Sequence, residues 1–441
     1  GIDLSTAGFM ENRSLTKKAL AKKKPIFEAG IMHGQLYSRA DILVPKGDAW
    51  DLYEVKGTTK VKPEHVQDVA FQKYVYEGAG LKIRQCYLLH LNKEYVKDGK
   101  LDIESLFTKD NITNDVAVEI VGIQDRIAGM FKIINAPKPT STIHYNCNKP
   151  YACPLMKDCW DFLPDENVFD LSRGGIKSFN MFEQGIVNLK DITSDFKLTD
   201  KQIVQKDCAV NGCTRIHKQN IKNFLKRLKY PLYHLDFETF STGVPIFDGS
   251  KCYQQMPFQF SLHIEQEDGS LEHHSFIAKS KGDPRKAFAK ELKAVLGSEG
   301  SIVVYNQAFE KMVMTQLGEF LPAYKDWVDA SFDRFIDLLD PFRKFDYYNP
   351  KQGGSASIKK VLPALVGKDA YAGLDIHKGD QASLAFVKLM EGVSVTAEKK
   401  IRKDLEVYCG LDTEAMVWIV QELRKLVKEA AAKLGKRKEN G

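Results

Sequence analysis

The residues best suited to chemistry lie in the stretch 233–239, which reads Tyr-His-Leu-Asp-Phe-Glu-Thr. Pro231 before it and Gly243 after it are turn signals, so the stretch is predicted to be a short buried strand. Side chains alternate along a strand, which puts Asp236 and Glu238 on the same face. Two such carboxylates are costly to bury unless a cation lies between them, and oxygen ligands suit Mg²⁺ or Mn²⁺. A pair of acids on a solvated edge strand is an equally good interpretation of this stretch alone.

Further acids lie on two later segments. Glu310 is predicted in the first turns of a helix that follows a short strand, with Asn306 as its N-cap. Tyr408 and Asp412 lie one turn apart on a long helix predicted over residues 398–429. The order strand, hairpin, helix, strand, helix would let these side chains converge with the first two acids. Two metal ions held by four acids can clamp the attacking and leaving oxygens of a phosphodiester, while a tyrosine orients the water.

This spacing resembles the DEDDy branch of the RNase H-like 3′–5′ exonucleases, which includes the proofreading domains of polymerases. The resemblance implies that Asp236, Glu238, Glu310 and Asp412 are metal ligands and that Tyr408 is catalytic. The middle motif departs from the pattern, because that family usually has Asp where this chain has Glu310. The extra methylene changes the metal spacing or the choice of metal. An ordinary helix pair is the alternative for Tyr408 and Asp412.

A second candidate site lies near the start of the chain. Three strand-like runs joined by short Gly-containing turns predict an antiparallel meander, with the runs at 25–32, 36–44 and 50–56. Asp41 lies late in the second run, and Glu54 and Lys56 share a face at the end of the third. They would supply two carboxylates for a metal and a cation for the attacked phosphate or its water. Glu28, on the first run, is either an extra acid near this site or the partner of an arginine. The alternative for the whole set is an exposed ion-pair cluster.

A helix predicted over 62–76 and a strand predicted over 83–89 complete a βββαβ unit, and Gln72 and Tyr76 share a face of that helix. Residues in this order resemble the PD-(D/E)XK nucleases of the RecB type. The likeness includes the CRISPR-associated RecB-like exonucleases that carry an iron–sulfur cluster. The resemblance implies a catalytic set with metal ligands Asp41 and Glu54, catalytic Lys56, and accessory residues Gln72 and Tyr76.

Three regularly spaced cysteines, Cys147, Cys153 and Cys159, lie in a loop that contains prolines. This pattern suits cluster or zinc ligation better than packing, with unliganded core thiols as the alternative. In the nucleases that the chain resembles, such cysteines close the domain, and a fourth cysteine comes from its N-terminal end. No cysteine precedes Cys86 here, so the fourth ligand of a [4Fe–4S] cluster is expected in a missing upstream segment or is absent. The first residue, Gly1, agrees with such a missing segment.

The composition is that of a soluble globular protein of two or three domains, with 441 residues, 28% charged and 43% hydrophobic. No apolar run of about 18 residues and no signal peptide occurs, which predicts a cytoplasmic protein without membrane association. Eight cysteines in such a chain favour thiols or metal ligands over disulfides. The net charge is +6. Lysine clusters at 17–24, 218–229 and 425–438 suit nucleic-acid phosphates, or simply a solvated surface.

The sequence therefore predicts an α/β protein with four consecutive parts. They are a restriction-endonuclease-like PD-(D/E)XK domain with a cysteine cluster (1–165), a helical linker (166–228), an RNase H-like DEDDy exonuclease domain (229–433) and a basic tail (434–441). The order resembles a bacterial family that fuses these two nuclease types, with further signatures at 253–261 and 354–360. We expect a metal-dependent, exonucleolytic DNA nuclease of repair, recombination or defence. The alternatives are an RNA 3′–5′ exonuclease and a catalytically weak nucleic-acid-binding scaffold for a helicase partner.

Overall fold

The structure is a computed structural model that describes residues 1–137 and 142–438, with side chains described as far as residue 428. The predicted basic tail, 434–441, lies outside the described side chains, as does much of the third lysine cluster. The chain divides into two compact units. The first unit comprises residues 1–142 and 242–254, and the second comprises residues 143–241 and 255–441.

The strands, in chain order, are β1 (Ile2–Asp3), β2 (Ile26–His33), β3 (Leu36–Lys46), β4 (Ala49–Lys56), β5 (Ile83–Leu91), β6 (Phe107–Asn111), β7 (Arg215–Ile216), β8 (Leu232–Phe240), β9 (Met256–Glu265), β10 (Leu271–Ile277), β11 (Ser301–Val304), β12 (Phe335–Asp337) and β13 (Tyr347–Tyr348).

The α-helices, in chain order, are α1 (Phe9–Leu20), α2 (Pro63–Gly78), α3 (Ile103–Leu106), α4 (Thr113–Glu119), α5 (Ile123–Ile134), α6 (Met156–Trp160), α7 (Ile176–Glu183), α8 (Asp200–Asn211), α9 (Lys218–Leu225), α10 (Arg285–Val295), α11 (Gln307–Phe320), α12 (Lys325–Ser331), α13 (Asp340–Arg343), α14 (Ile358–Val366), α15 (Gly379–Glu391) and α16 (Val395–Lys438). The mixed α/β class predicted from the sequence is confirmed. No helix in the described part of the chain is long and apolar enough to cross a membrane.

The first unit contains the predicted βββαβ order. Its sheet has six strands among the described residues, in the order β1–β2–β3–β4–β5–β6. Strands β2, β3 and β4 form the predicted antiparallel meander, and α2 then carries the chain across so that β5 lies parallel to β4. A helix that was not predicted, α1, precedes the meander. The sequence did not reveal this helix because its buried face is small and polar, comprising Asn12, Thr16 and Ala19.

The observed division differs from the predicted boundaries at two places. Residues 143–165, predicted to close the first domain, belong to the second unit with the predicted linker. Aromatic packing explains this, because Trp160 contacts Phe169 and Phe179. Residues 242–254 return to the first unit. There Lys97 forms a 2.5 Å ion pair with Asp248.

The second unit contains a five-stranded sheet, among the described residues, in the order β10–β9–β8–β11–β12. β9 and β10 form the predicted hairpin and pair antiparallel beside β8, while β11 and β12 run parallel to it on the other side. Side chains of β8 alternate between the two faces of the sheet. Tyr233, Leu235 and Phe237 pack into the apolar core with α10 and α11. The intervening Asp236 and Glu238 are therefore directed to the opposite face.

Candidate metal centres

The four acids predicted from three separate elements line one cavity of about 580 Å³ in the second unit. β8 contributes Asp236 and Glu238, α11 contributes Glu310, and α16 contributes Asp412. Tyr408 lines the same cavity from the preceding turn of α16. The structure thus brings together every site residue that the sequence predicted for this unit.

The turn from β11 into α11 fixes the position of Glu310. Asn306 stands at the N-cap position with a φ of 89°, a left-handed conformation that Asn tolerates better than most residues. The predicted N-cap position is confirmed, although the Asn306 side chain makes no capping hydrogen bond. Instead its backbone N–H donates to Oδ1 of Asp337, at 2.9 Å, at the end of β12. This contact ties the start of α11 to the sheet and points Glu310 into the cavity.

The acids of the cavity are electrostatically frustrated without a cation. Burial, followed by the charge of Asp412, raises the pKa of Asp236 well above its ordinary value. Burial and the charge of Asp236 do the same to the pKa values of Glu238 and Glu310. Burial also raises the pKa of Asp412, although a hydrogen bond from Tyr371 partly offsets it. Burial therefore makes all four carboxylates harder to ionise, and neighbouring acids add to this for Asp236, Glu238 and Glu310.

Glu310 shows that a metal ion fits these residues. Its side chain is 2% exposed, and its Oε2 atom is buried without a hydrogen-bond partner among the described residues. Buried carboxylate oxygens are normally hydrogen-bonded or bound to a cation, because an isolated buried charge is very costly. The donor set consists of carboxylate oxygens, which suit Mg²⁺ or Mn²⁺.

Two further residues, Lys359 and Tyr371, hold Tyr408 and Asp412 of α16, and neither was among the predicted site residues. Nζ of Lys359 donates to the Tyr408 hydroxyl at 2.8 Å, and it also lies 4.7 Å from the centre of that ring. The Tyr371 hydroxyl donates to Oδ1 of Asp412 at 2.6 Å. Lys359 lies within the 354–360 signature, which was the available signal, whereas Tyr371 lies in an irregular loop. Asp380, at the start of α15, also lines the cavity.

In the first unit the predicted residues Asp41, Glu54, Lys56 and Gln72 also lie together. Oε1 of Glu54 forms a 2.7 Å ion pair with Lys56, and its Oε2 accepts a 2.6 Å hydrogen bond from Gln72. Lys56 additionally pairs with Asp68 at 2.8 Å. Burial opposes the charge of Lys56, but its hydrogen bonds to Asp68 and Glu54 outweigh burial and raise its pKa. Both oxygens of Glu54 are thus occupied by groups of the protein itself, unlike Oε2 of Glu310.

Asp41 lies beside Glu54 in the antiparallel pair of β3 and β4. Its Oδ2 accepts a 2.6 Å hydrogen bond from the backbone N–H of Val55. Burial and the neighbouring charge of Glu54 raise the pKa of Asp41 to about 6. Glu28 forms a 2.6 Å ion pair with Arg39 on a partly exposed surface. Glu28 thus pairs with an arginine, although not in the core, and it also lines a surface pocket together with Asp41 as an extra acid near this site.

Tyr76 is completely buried and uses its hydroxyl on the backbone of two strands. The hydroxyl donates to the carbonyl of Ala29 and accepts a 2.8 Å hydrogen bond from the N–H of Ala40. Ala40 immediately precedes Asp41. Tyr76 is accordingly a positioning residue for the Asp41 strand.

We expect Tyr76→Phe to lower the free energy of unfolding by about 1–3 kcal/mol, because it leaves two buried backbone groups without their partner. Urea-induced unfolding measures the change. Tyr74→Phe on the same helix is the matched control and should have an effect within about 0.5 kcal/mol, as is usual for surface substitutions. An equal loss in both variants would contradict the role given to the Tyr76 hydroxyl.

The predicted cysteine set is not gathered into one compact ligand group in the structure, and zinc ligation by it stays a prediction. Three thiolates on one tetrahedral zinc ion lie about 3.8 Å apart, given a Zn–S distance of about 2.3 Å. Among the described residues, the only group of three or more potential ligands with all ligand atoms within 4.8 Å of one another is Asp236, Glu238 and Cys409. Cys147, Cys153 and Cys159 are free and partly exposed thiols. Ligation of a [4Fe–4S] cluster, which requires wider sulfur spacing, stays a prediction.

Comparisons with known proteins show a local similarity to a described family. Residues 233–357 match the model of a family described as a domain of unknown function (DUF2779), a range that contains Asp236, Glu238 and Glu310.

Uncharacterized protein MG366 of Mycoplasma genitalium is 28% identical over 231 residues, which are 47% of this chain and 34% of that protein. Its homolog in Mycoplasma pneumoniae is 29% identical over 217 residues, 45% and 33% respectively. Uncharacterized protein UU173 of Ureaplasma parvum is 26% identical over 251 residues, 51% and 35% respectively. No solved structure matches the chain. The aligned parts thus cover about a third of the length of these curated relatives.

Proposed function

We propose that this chain is a metal-dependent nuclease that hydrolyses phosphodiester bonds in DNA, with its principal centre in the second unit. The observation that carries the proposal is the cavity in which four acids from three elements meet, one of them with a buried oxygen that lacks a partner. Burial and mutual repulsion of these carboxylates destabilise the metal-free protein, so they require a cation. Many enzymes that hydrolyse phosphodiesters use a bound divalent cation. We assign the centre to the DEDDy exonuclease type.

The strand arrangement supports this assignment. The elements that carry the acids occur in the predicted order of strand, hairpin, helix, strand and helix. The strand β8, which carries Asp236 and Glu238, lies in the middle of the five-stranded sheet. In the same way, the βββαβ order of the first unit, with Asp41, Glu54 and Lys56 on successive strands, supports a PD-(D/E)XK assignment there.

At this centre Asp236, Glu238, Glu310 and Asp412 would hold the metal. When bound, the metal would supply positive charge to the phosphodiester and to the attacking water. The oxygen of that water forms the new bond to phosphorus, while the bond from phosphorus to the leaving sugar oxygen breaks and the leaving oxygen takes up a proton. Burial raises the pKa of Tyr408, so its hydroxyl remains protonated at neutral pH and orients the water as a hydrogen-bonding group.

Positive groups among the lining residues suit an anionic substrate. Lys359 lines the cavity, as do Ser357 and Ile358 at the start of α14 and Gly379 at the start of α15. Helix N-termini carry unpaired N–H groups and a partial positive charge, and they commonly bind phosphate. The cavity thus combines acids that suit a cation with groups that suit a phosphate.

A second function, nucleic-acid binding without catalysis, suits the first unit. Both oxygens of Glu54 are already engaged by Lys56 and Gln72, so a metal ion would have to displace at least one of these contacts. A scaffold role for the first unit would leave hydrolysis to the second. The predicted helicase partner stays a prediction.

The decisive experiment is degradation of end-labelled single-stranded DNA with Mg²⁺ or Mn²⁺, with matched RNA as a parallel substrate. The parent is compared with Asp236→Ala and with Lys56→Ala. We expect 3′ trimming of DNA by the parent, retained by Lys56→Ala and lost in Asp236→Ala. Loss in Lys56→Ala alone would make the first unit the catalytic one. A parent that cuts neither DNA nor RNA overturns the proposal, and trimming of RNA alone overturns the substrate.

Lys359 provides a separate prediction about the position of the Tyr408 hydroxyl. Lys359→Met keeps the length of the side chain but removes the hydrogen bond to that hydroxyl. We expect kcat to fall roughly 10–100-fold with little change in KM. Removal of a group that orients a functional residue usually lowers activity by this factor. Lys360→Met, the adjacent residue, is the matched control. A rise in KM at unchanged kcat would instead assign Lys359 to substrate binding.

A further inference from the structure

A buried thiol lies directly against the acids of the cavity in the second unit. Cys409 follows Tyr408 on α16, and its side chain is fully buried. Its Sγ lies 3.7 Å from Oδ2 of Asp236 and 3.9 Å from the backbone oxygen of the same residue. One ligand atom each from Asp236, Glu238 and Cys409 lies within 4.8 Å of the other two. Mg²⁺ prefers oxygen ligands over sulfur, so the proposed nuclease reaction does not explain the thiol.

The separation of the sulfur and the oxygen is that of two ligands on one small cation. Zinc lies about 2.3 Å from sulfur and about 2.0 Å from a carboxylate oxygen in a tetrahedral site, which places the two ligand atoms roughly 3.5 Å apart. The observed 3.7 Å between Sγ of Cys409 and Oδ2 of Asp236 needs only a small adjustment. Two oxygens and one sulfur are a ligand set that suits zinc and cobalt better than magnesium.

A second observation points to a ligand at the same place. Glu310 lines the cavity together with Asp236 and Glu238, and its buried Oε2 atom has no hydrogen-bond partner among the described residues. Glu310 is not one of the residues whose ligand atoms lie within 4.8 Å of one another, so it marks the cavity as a place where a buried oxygen needs a partner without completing this ligand set. The thiol comes from α16 and this oxygen from α11, so both observations depend on the fold of the unit.

We propose that the second unit binds a thiophilic divalent cation, Zn²⁺ or Co²⁺, through Asp236, Glu238 and Sγ of Cys409. As the sulfur–metal bond forms, the thiol releases its proton to solvent. This site shares its acids with the proposed nuclease centre, and the inference rests on that centre being a metal site. A cation held by the thiol would occupy the place of Mg²⁺, so Zn²⁺ is expected to inhibit Mg²⁺-dependent hydrolysis competitively.

Titration with Co²⁺ tests the site without any substrate, because cobalt bound to a thiolate absorbs in the near ultraviolet by sulfur-to-metal charge transfer. The parent is compared with Cys409→Ser, Cys409→Ala and Asp236→Asn, and circular dichroism checks that each variant is folded. Cys252→Ser, which removes another buried thiol, is the matched control. We expect the absorption in the parent and the control, and its loss in the three site variants. Co²⁺ affinity should fall by more than about tenfold in Cys409→Ser, since even groups that only support a ligand contribute 10–100-fold.

The other outcomes differ in which claim they overturn. Absorption that persists in both Cys409 variants would place the cobalt on other thiols, such as Cys147, Cys153 and Cys159. Cobalt binding without charge transfer in the parent would mean that only oxygens are ligands. A parent that shows the Cys409-dependent absorption but cleaves neither DNA nor RNA would leave this cation site standing and overturn the proposed function alone.

Discussion

Asp236→Asn is expected to stabilise the metal-free protein while it abolishes metal-dependent hydrolysis. The substitution removes one of several mutually repelling buried carboxylates, whose pKa values are raised by burial and by one another. We expect the free energy of unfolding without metal to rise by about 0.5–2 kcal/mol, the usual gain when an active site is relieved of such a group. The rate of hydrolysis should fall by at least about 10²–10³-fold, which is the usual effect of removing one group that stabilises the transition state electrostatically.

The response to metal separates this effect from ordinary stabilisation. Mn²⁺ at about 100 times its Kd should stabilise the parent by about 2.7 kcal/mol, and Asp236→Asn should lose most of that gain. For a domain of 150–250 residues this corresponds to roughly 5–11 °C in Tm. Thermal unfolding with EDTA and with Mn²⁺ measures both quantities.

Glu265 provides the matched control for this prediction. It is also a buried acid on the same sheet, but it is paired with Arg424 at 2.6 Å and with His234 at 3.2 Å. Burial would raise its pKa, yet the hydrogen bonds from His234 and Arg424 lower it. Glu265→Gln should therefore destabilise the protein with or without metal. If Asp236→Asn destabilises the metal-free protein as Glu265→Gln does, the cavity acids are not frustrated and the argument for a cation fails.

The stability gained by Asp236→Asn is expected to depend on pH in one direction. In the metal-free folded state the pKa of Asp236 lies well above its unfolded value of about 3.9. Between the two values the folded protein holds a proton that the unfolded chain releases, so the parent loses stability as pH rises through this window. The variant has no such group. Its advantage should be full above the folded pKa of Asp236 and should vanish below about pH 4.

Comparing the parent with Asp236→Asn at the same pH cancels the contribution of titrating groups that behave alike in both proteins. Burial lowers the pKa of His263 to about 4, so protonation of this side chain destabilises parent and variant alike in acid. The difference between their free energies of unfolding, measured by urea titration from pH 4 to pH 8, isolates Asp236. An advantage that grows as the pH falls would contradict the raised pKa. Saturating Mn²⁺ should reverse the sign of the difference near neutral pH, because the metal favours the ionised acid of the parent.

The alternation of apolar and acidic residues on β8 was readable in the sequence because it is local. Tyr233, Leu235 and Phe237 had to face the core, which left Asp236 and Glu238 on the other face. The same holds for Tyr408 and Asp412, whose spacing of four residues on a helix sets their common face without reference to the rest of the fold. The meander of the first unit was equally local, since short turns between strand-like runs define it.

Contacts between segments far apart in the chain were decided only by the tertiary structure. Lys359 reaches Tyr408 and Tyr371 reaches Asp412 across 49 and 41 residues, and no local period encodes such pairs. The return of residues 242–254 to the first unit has the same character.

The use made of each acid also depended on the fold. By sequence alone, Glu54 and Glu310 are both acids near a strand. Folding gives Glu54 partners on both oxygens and leaves Oε2 of Glu310 buried with none among the described residues. The sequence therefore determined which residues could do chemistry, because residue type and short-range period are local properties. The tertiary structure decided which of the two sites demands a cation, because burial and partnering are properties of the packed chain.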